Sequence, residues 1–165
     1  TWALNLLGQA YSAGDFVTAM RQWNIAARQM GIFHQKYDLY MTPALASPPV
    51  KVGEAQMSSV EKMLMQITNT FRAGRLVRLS GMADRIAIQN LAKTPFTILA
   101  NLTGQPAMSV PLHWTSAGLP CGIQFIAPAG DEAMLLRLAG QLEKTRPWFD
   151  KRPHIPARGE NTPGQ

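Results

Sequence analysis

Nucleophilic hydrolysis needs a hydroxyl or thiol beside a base, and the side chains that could supply this pair are sparse in this sequence. It holds three histidines and one cysteine among 165 residues. An unactivated serine is a weak nucleophile, so it counts only where a base and preplaced oxyanion donors stand near it. Ser58-Ser59 runs straight into Val60 and Glu61 at what reads as an ordinary helix start, and Ser80-Gly81 is isolated. His34, His113 and His154 fall on a helix face, a strand end and a tail. None has the serine and carboxylate neighbours that a Ser-His-Asp arrangement requires, so they read as packing or surface residues. Lys62 and Lys93 have no serine that would pair with them. Cys121 lies within an apolar strand and reads as an inert core thiol. One cysteine and three dispersed histidines offer no metal-ligand spacing, so neither a metal nor a cofactor is expected.

The elements that would position any chemistry are easier to read. Phe16, Met20, Trp23, Ala27, Met30 and His34 recur at steps of four and three, which predicts a helix with one apolar stripe buried against the rest of the chain. Ser12 stands three residues before Asp15 and can cap its start. Trp2 to Leu7 reads as a further, cut-off helix. Residues 38–42 predict a short strand stopped by Pro43, which cannot donate to a ladder. Ser47-Pro48-Pro49 and Gly53 mark an irregular excursion, and Ser58-Ser59 caps a helix through Val60, Met63, Leu64 and Ile67. The basic stretch 72–90, broken by Gly74 and Gly81, carries little signal.

From Thr94 the pattern sharpens. Thr94-Pro95 opens a helical run from Phe96 to Leu102 that ends at Gly104, with the proline in the first turn where its missing N–H is harmless. Pro106 to Leu112 and Pro120 to Ile126 read as antiparallel strands about the turn Ser116-Ala117-Gly118. Asp131-Glu132 opens a last helix with Met134, Leu135, Leu138, Ala139 and Leu142 on one face, closed by Lys144, Arg146 and Pro147. The pattern implies an α/β fold, helices packed on a small mixed or antiparallel sheet. Its edges would be exposed backbone rows, so self-association through them is expected.

Bulk properties bound the rest. The length suits one domain, assigned to residues 1–156, followed by a tail at 157–165 too polar and glycine-rich to order. The net charge of +6 concentrates at Arg72, Arg75, Arg78 and Arg85 and again at Lys144, Arg146, Lys151 and Arg152. These residues have no interleaved aromatics, zinc spacing or helix-turn-helix pattern with them, which argues against nucleic-acid binding. No apolar run approaches the roughly 20 residues that span a bilayer, so no membrane association is expected. The single cysteine gives no reason to infer an oxidising compartment, and a cytoplasmic address is expected.

The run Asn101-Leu102-Thr103-Gly104-Gln105-Pro106-Ala107-Met108-Ser109-Val110-Pro111, followed by Gly118-Leu119-Pro120-Cys121-Gly122-Ile123-Gln124-Phe125-Ile126, closely resembles the distal sequence block of amidase signature hydrolases. Residues 37–43 look like the strand and turn before a proline-rich loop in that family, and the helix at Asp131 and the Pro147-Trp148 close are similar too. The order and spacing are most similar to the bacterial branch that includes 6-aminohexanoate-cyclic-dimer hydrolases. Each piece taken singly also has a structural reading. Gly104 permits a geometry other residues resist, Gly118-Leu119-Pro120 makes a turn, and Gly122 permits close backbone packing.

The resemblance implies a serine nucleophile, a second serine and a lysine that manages protons, with oxyanion donors in a stretch rich in glycine and serine. No Gly-Gly-Ser-Ser type stretch occurs here. The expectation is therefore a carboxyl-terminal amidase segment, inactive alone, whose partners are an absent amino-terminal amidase core and a small amide substrate. By the resemblance, Thr94, Phe96, Thr97 and Asn101, then Thr42 and Pro43, are the candidate pocket lining, because an aromatic surface with small polar groups suits a binding wall. The alternative expectation is a non-catalytic, self-associating interaction module derived from an amidase.

Overall fold

The computed structural model describes residues 11–49, 91–92 and 94–152, with the single positions Gly8, Lys51, Met63, Gln66, Ile67, Thr70, Gly81 and Ile88. The helix expected after Ser58, the basic stretch 72–90, the run Trp2 to Leu7 and the tail at 157–165 lie largely or wholly outside them.

Helix α1 runs from Ala13 to Phe33, and its start is a complete capping box: the Ser12 hydroxyl accepts from the Asp15 N–H at 3.2 Å while the Ser12 N–H donates to the Asp15 carboxylate at 2.8 Å. Strand β1 follows at Tyr40–Pro43. Helix α2, Ile98–Thr103, ends on Gly104 in the left-handed region, φ 70°, whose N–H returns to the Ala100 carbonyl at 2.9 Å. Strands β2, Ala107–Trp114, and β3, Pro120–Ile126, form a hairpin. Its turn is held by Gly118 at φ 77° and by the Thr115 hydroxyl, which accepts from the Leu119 N–H at 3.1 Å. Helix α3, Glu132–Thr145, starts where the Asp131 carboxylate accepts from the Met134 N–H at 3.2 Å.

The three strands pair antiparallel in the order β1-β3-β2. Tyr40 stands opposite Ile126 and Thr42 opposite Gln124 on one side of β3, and Ala107 opposite Ile126 and Ser109 opposite Gln124 on the other. Between Pro111 and His113 the register shifts, leaving Leu112 as a bulge beside a proline on an outer strand.

Alternation along the strands sorts the sheet into two faces. Met108, Val110, Ile123 and Phe125 share one face, where Leu135, Leu138, Ala139 and Leu142 of α3 and the Trp148 ring pack on them. Val110, Phe125 and Leu135 are the buried ones among them, and each such side chain contributes about 1.5–3 kcal/mol. Ile126, fully enclosed, belongs to the other face with Gln124 and Thr42. This second face receives the end of α1, where the Phe33 ring meets Tyr40 edge-on at 5.5 Å and stacks on Tyr37 at 4.8 Å. Gly122 allows the strands to close here: a Cβ on it would stand 2.5 Å from Ser109 Oγ and 3.2 Å from Ala44 Cβ.

Two boundaries and one burial expectation depart most from the sequence reading. Helix α2 begins at Ile98, because Pro95, Phe96 and Thr97 form a turn ahead of it, and β2 extends two residues past Leu112 through the bulge. The expected burial of the α1 stripe fails in the helix's first turns. Met30 is buried, yet Phe16 is 61% exposed and Met20 and Trp23 remain exposed as well. Only the end of α1 reaches the sheet, so the earlier turns of the stripe have no described surface to cover them.

Candidate functional site

The candidate lining residues divide between the two faces of the sheet. Thr42 projects from β1 to the face shared with Gln124 and Ser109, forming a cross-strand polar row under the turn that precedes α2. Pro43, its neighbour on the strand, takes the opposite face in register with Ile123 and is exposed. The structure therefore brings Thr42 together with the turn and leaves Pro43 apart from it.

Within the turn, Thr94, Phe96 and Thr97 are all half-buried. The Thr97 hydroxyl donates to the Thr94 carbonyl at 3.3 Å, and the Leu99 N–H reaches the Phe96 carbonyl at 3.4 Å. Asn101 is exposed on α2, its side-chain amide donating to the Thr97 carbonyl at 3.2 Å, so it braces the turn from the helix side.

Gln124 is a residue that the reading of types and spacing did not single out. It is 5% exposed on the central strand, and its amide donates to the Phe96 carbonyl at 3.3 Å, tying the turn to the sheet. Thr42 beside it is 8% exposed, and its hydroxyl has no hydrogen-bond partner among the described residues. Native structures pair nearly all buried polar atoms, which sets Thr42 apart from its neighbours in the row.

The titratable candidates stand away from this row. The His34 ring donates from Nδ1 to the Tyr37 carbonyl at 3.0 Å, which leaves Nε2 buried and unpaired among the described residues. It sits in the Phe33, Tyr37 and Tyr40 aromatic cluster as a packing residue. His113 is exposed on β2, and Cys121 is a half-buried free thiol on β3. No group of three or more metal-ligating side chains assembles among the described residues, and no described helix is long and apolar enough to cross a membrane. A shallow groove lies elsewhere, on the exposed first turns of α1, lined by Tyr11, Phe16, Ala19 and Gln22. It is almost wholly apolar and carries none of the candidate residues.

What this arrangement can do is hold and shape. It presents an aromatic ring, two threonine hydroxyls and an asparagine on a turn clamped to a sheet, with no described nucleophile and base in contact. Such a surface encloses no ligand by itself, since a binding pocket needs facing walls.

Comparison with known proteins finds relatives for most of the chain. Residues 66–136, which include the turn, α2, both hairpin strands and the start of α3, match the family model described as Amidase. A lipoamidase of Enterococcus faecalis is 30% identical over 148 residues, 87% of this chain and 19% of that protein. A 6-aminohexanoate-cyclic-dimer hydrolase of Pseudomonas sp. (strain NK87) is 34% identical over 120 residues, 72% of this chain and 21% of the relative. The solved structure of a 6-aminohexanoate cyclic dimer hydrolase superimposes with a TM-score of 0.62 at 25% identity, covering 86% of this chain and 26% of that one. The chain thus spans about a fifth of the length of these curated relatives.

Proposed function

Because this chain belongs to the amidase family, we propose that it is the carboxyl-terminal part of an amidase that cleaves the C–N bond of linear or cyclic carboxamides. In this reading the parent supplies a serine nucleophile, a second serine and a lysine from its amino-terminal core. The present chain supplies scaffold and one pocket wall. Thr94, Phe96, Thr97 and Asn101 line that wall from the turn and α2, with Thr42 beneath them; Pro43, on the opposite face of the sheet, is not part of it. The observation that carries the reading is the superposition on a cyclic-amide hydrolase across 86% of this chain. A cyclic dimer is joined by amide bonds alone, and a wall of one aromatic ring with small polar groups suits a neutral, partly apolar substrate of that class.

The chemistry divides accordingly. Attack on an amide carbonyl needs an activated hydroxyl and donors placed for the oxyanion, and those groups belong to the core. This chain fixes the acyl or leaving group against a rigid surface, so that the reacting carbonyl meets the nucleophile in a productive geometry. The isolated chain is therefore inactive. The test is amide turnover by this chain against turnover by a polypeptide extended through the full reading frame, with small aryl and cyclic amides as substrates. Activity confined to the extended polypeptide is the expected result.

A second reading is favoured by one observation, the exposed stripe of Phe16, Met20 and Trp23. A surface of this kind lets the chain self-associate, and the outer strands of the sheet offer further edges. As a free-standing interaction module it would be oligomeric in solution and remain inactive when extended.

A further inference from the structure

The segment carrying the candidate lining is pinned to the central strand at both ends by glutamine side chains. Ahead of α2, Gln124 Nε2 donates to the Phe96 carbonyl at 3.3 Å. Behind it, Gln105 Nε2 donates to the Ala127 carbonyl at 3.2 Å, and the Gln105 Oε1 accepts from the Thr103 hydroxyl at 3.0 Å. The two pins differ in their surroundings. Gln124 is buried in the polar row and meets the turn that holds Thr94, Phe96 and Thr97, whereas Gln105 is half-buried past the end of α2, where no candidate lining residue lies.

The turn's other described bonds are local to its own segment: 3.3 Å from the Thr97 hydroxyl to the Thr94 carbonyl, 3.4 Å from the Leu99 N–H to the Phe96 carbonyl, 3.1 Å from the Thr94 N–H to the Leu91 carbonyl and 3.2 Å from the Asn101 amide to the Thr97 carbonyl. Among the described residues, the Gln124 bond is the side-chain hydrogen bond that ties this turn to the sheet. Burying the Gln124 amide costs free energy unless its bonds are made, so its bond to the Phe96 carbonyl fastens the turn to the sheet. Thr42 flanks Gln124 in register with its hydroxyl unpaired, and so does nothing to replace that bond.

We infer that Gln124 is a positioning residue: through the Phe96 carbonyl it sets the height of the turn over the sheet, and so the size of acyl group that the wall admits. The inference rests on the function proposed above and deepens it. Lengthening the acyl chain brings it against Phe96, so a turn released from the sheet changes large substrates more than small ones.

The experiment uses the full amidase polypeptide containing this chain, with the p-nitroanilides of acetate, butyrate and hexanoate as probes. Gln124→Met keeps the volume and removes the donor. It is expected to raise KM for the hexanoyl probe about tenfold while the acetyl probe and kcat change little, a split of the size that one methylene's fit is worth. Gln124→Asn keeps the amide but withdraws it by one methylene, and gives the same sign, which keeps the test available should Gln124→Met not fold. Gln124→His, which retains an N–H at similar reach, restores selectivity, and Gln105→Met lowers the melting temperature without altering it. Equal loss on all three probes, or the same selectivity change from Gln105→Met, overturns the inference and leaves the proposed function standing. A wild-type polypeptide that turns over none of the probes or other small amides overturns the function and the inference with it.

Discussion

At the scale of single residues, the polar row on β1, β3 and β2 is the least ordinary feature of this chain. Thr42 holds a buried hydroxyl without a partner among the described residues, and leaving a donor unmade costs about 1–3 kcal/mol. Thr42→Val replaces it with an apolar group of the same shape. The expected result is a chain at least as stable as the original, gaining about 1 kcal/mol in a urea titration. A clear loss would show that the hydroxyl is paired in solution. Gly122 makes the opposite prediction. A Cβ there meets Ser109 Oγ at 2.5 Å, a hydroxyl that exposed Ser109 can turn aside, and Ala44 Cβ at 3.2 Å, so Gly122→Ala destabilises by about 1 kcal/mol or less, and adding Ser109→Ala recovers part of that loss. The double-mutant cycle measures the coupling directly. Residue by residue, the glycine's role was legible, since a glycine inside a strand pattern signals close approach. The role of Gln124 was not. A glutamine alternating with apolar neighbours reads as the solvent side of a strand, and only the register with β1 and the turn at Phe96 buries it.

At the scale of elements, local chemistry and structure agree wherever a cap or turn fixes a boundary. The Ser12 capping box starts α1 within one turn of the position that spacing indicated, and the hairpin strand from Pro120 to Ile126 has the same ends in sequence and structure. Ser12→Ala is expected to cost about 1 kcal/mol, seen as a lower melting temperature with loss of helicity at the start of α1. Gly104→Ala forces a side chain into the left-handed region at φ 70° and should cost a further 1 kcal/mol or about that. Boundaries lacking such signals moved. A helix-compatible composition from Phe96 onward did not reveal the turn ahead of α2, which is tied to the sheet by Gln124, distant in sequence. The bulge at Leu112 was equally silent, since an extra residue in one strand is visible only against its partner.

At the scale of the molecule, the distribution of burial says most. The α3 face of the sheet is closed by a contiguous core, while the stripe on α1 that periodicity placed inside stands exposed over its first turns. Periodicity reports that a helix has an apolar face and is silent on what covers it. A surface of this kind is expected to make the isolated chain associate. Phe16→Glu with Trp23→Glu should lower its apparent mass in light scattering, with a stability change within about 0.5 kcal/mol. The chain's match to only about a fifth of each curated relative supplies a simple account of that surface: in the proposed parent it is an internal face. The same account explains why the sequence carried the family so plainly and the chemistry so faintly. A wall is specified by packing and turn residues, which are abundant here, and the nucleophile by a few side chains, which the proposed function assigns to the parent's core. The central claim is accordingly a division of labour, tested most directly by assaying amide hydrolysis with this chain and with the polypeptide extended through the full reading frame. Turnover by the extended polypeptide alone is the predicted result; turnover by the 165-residue chain itself would contradict the account.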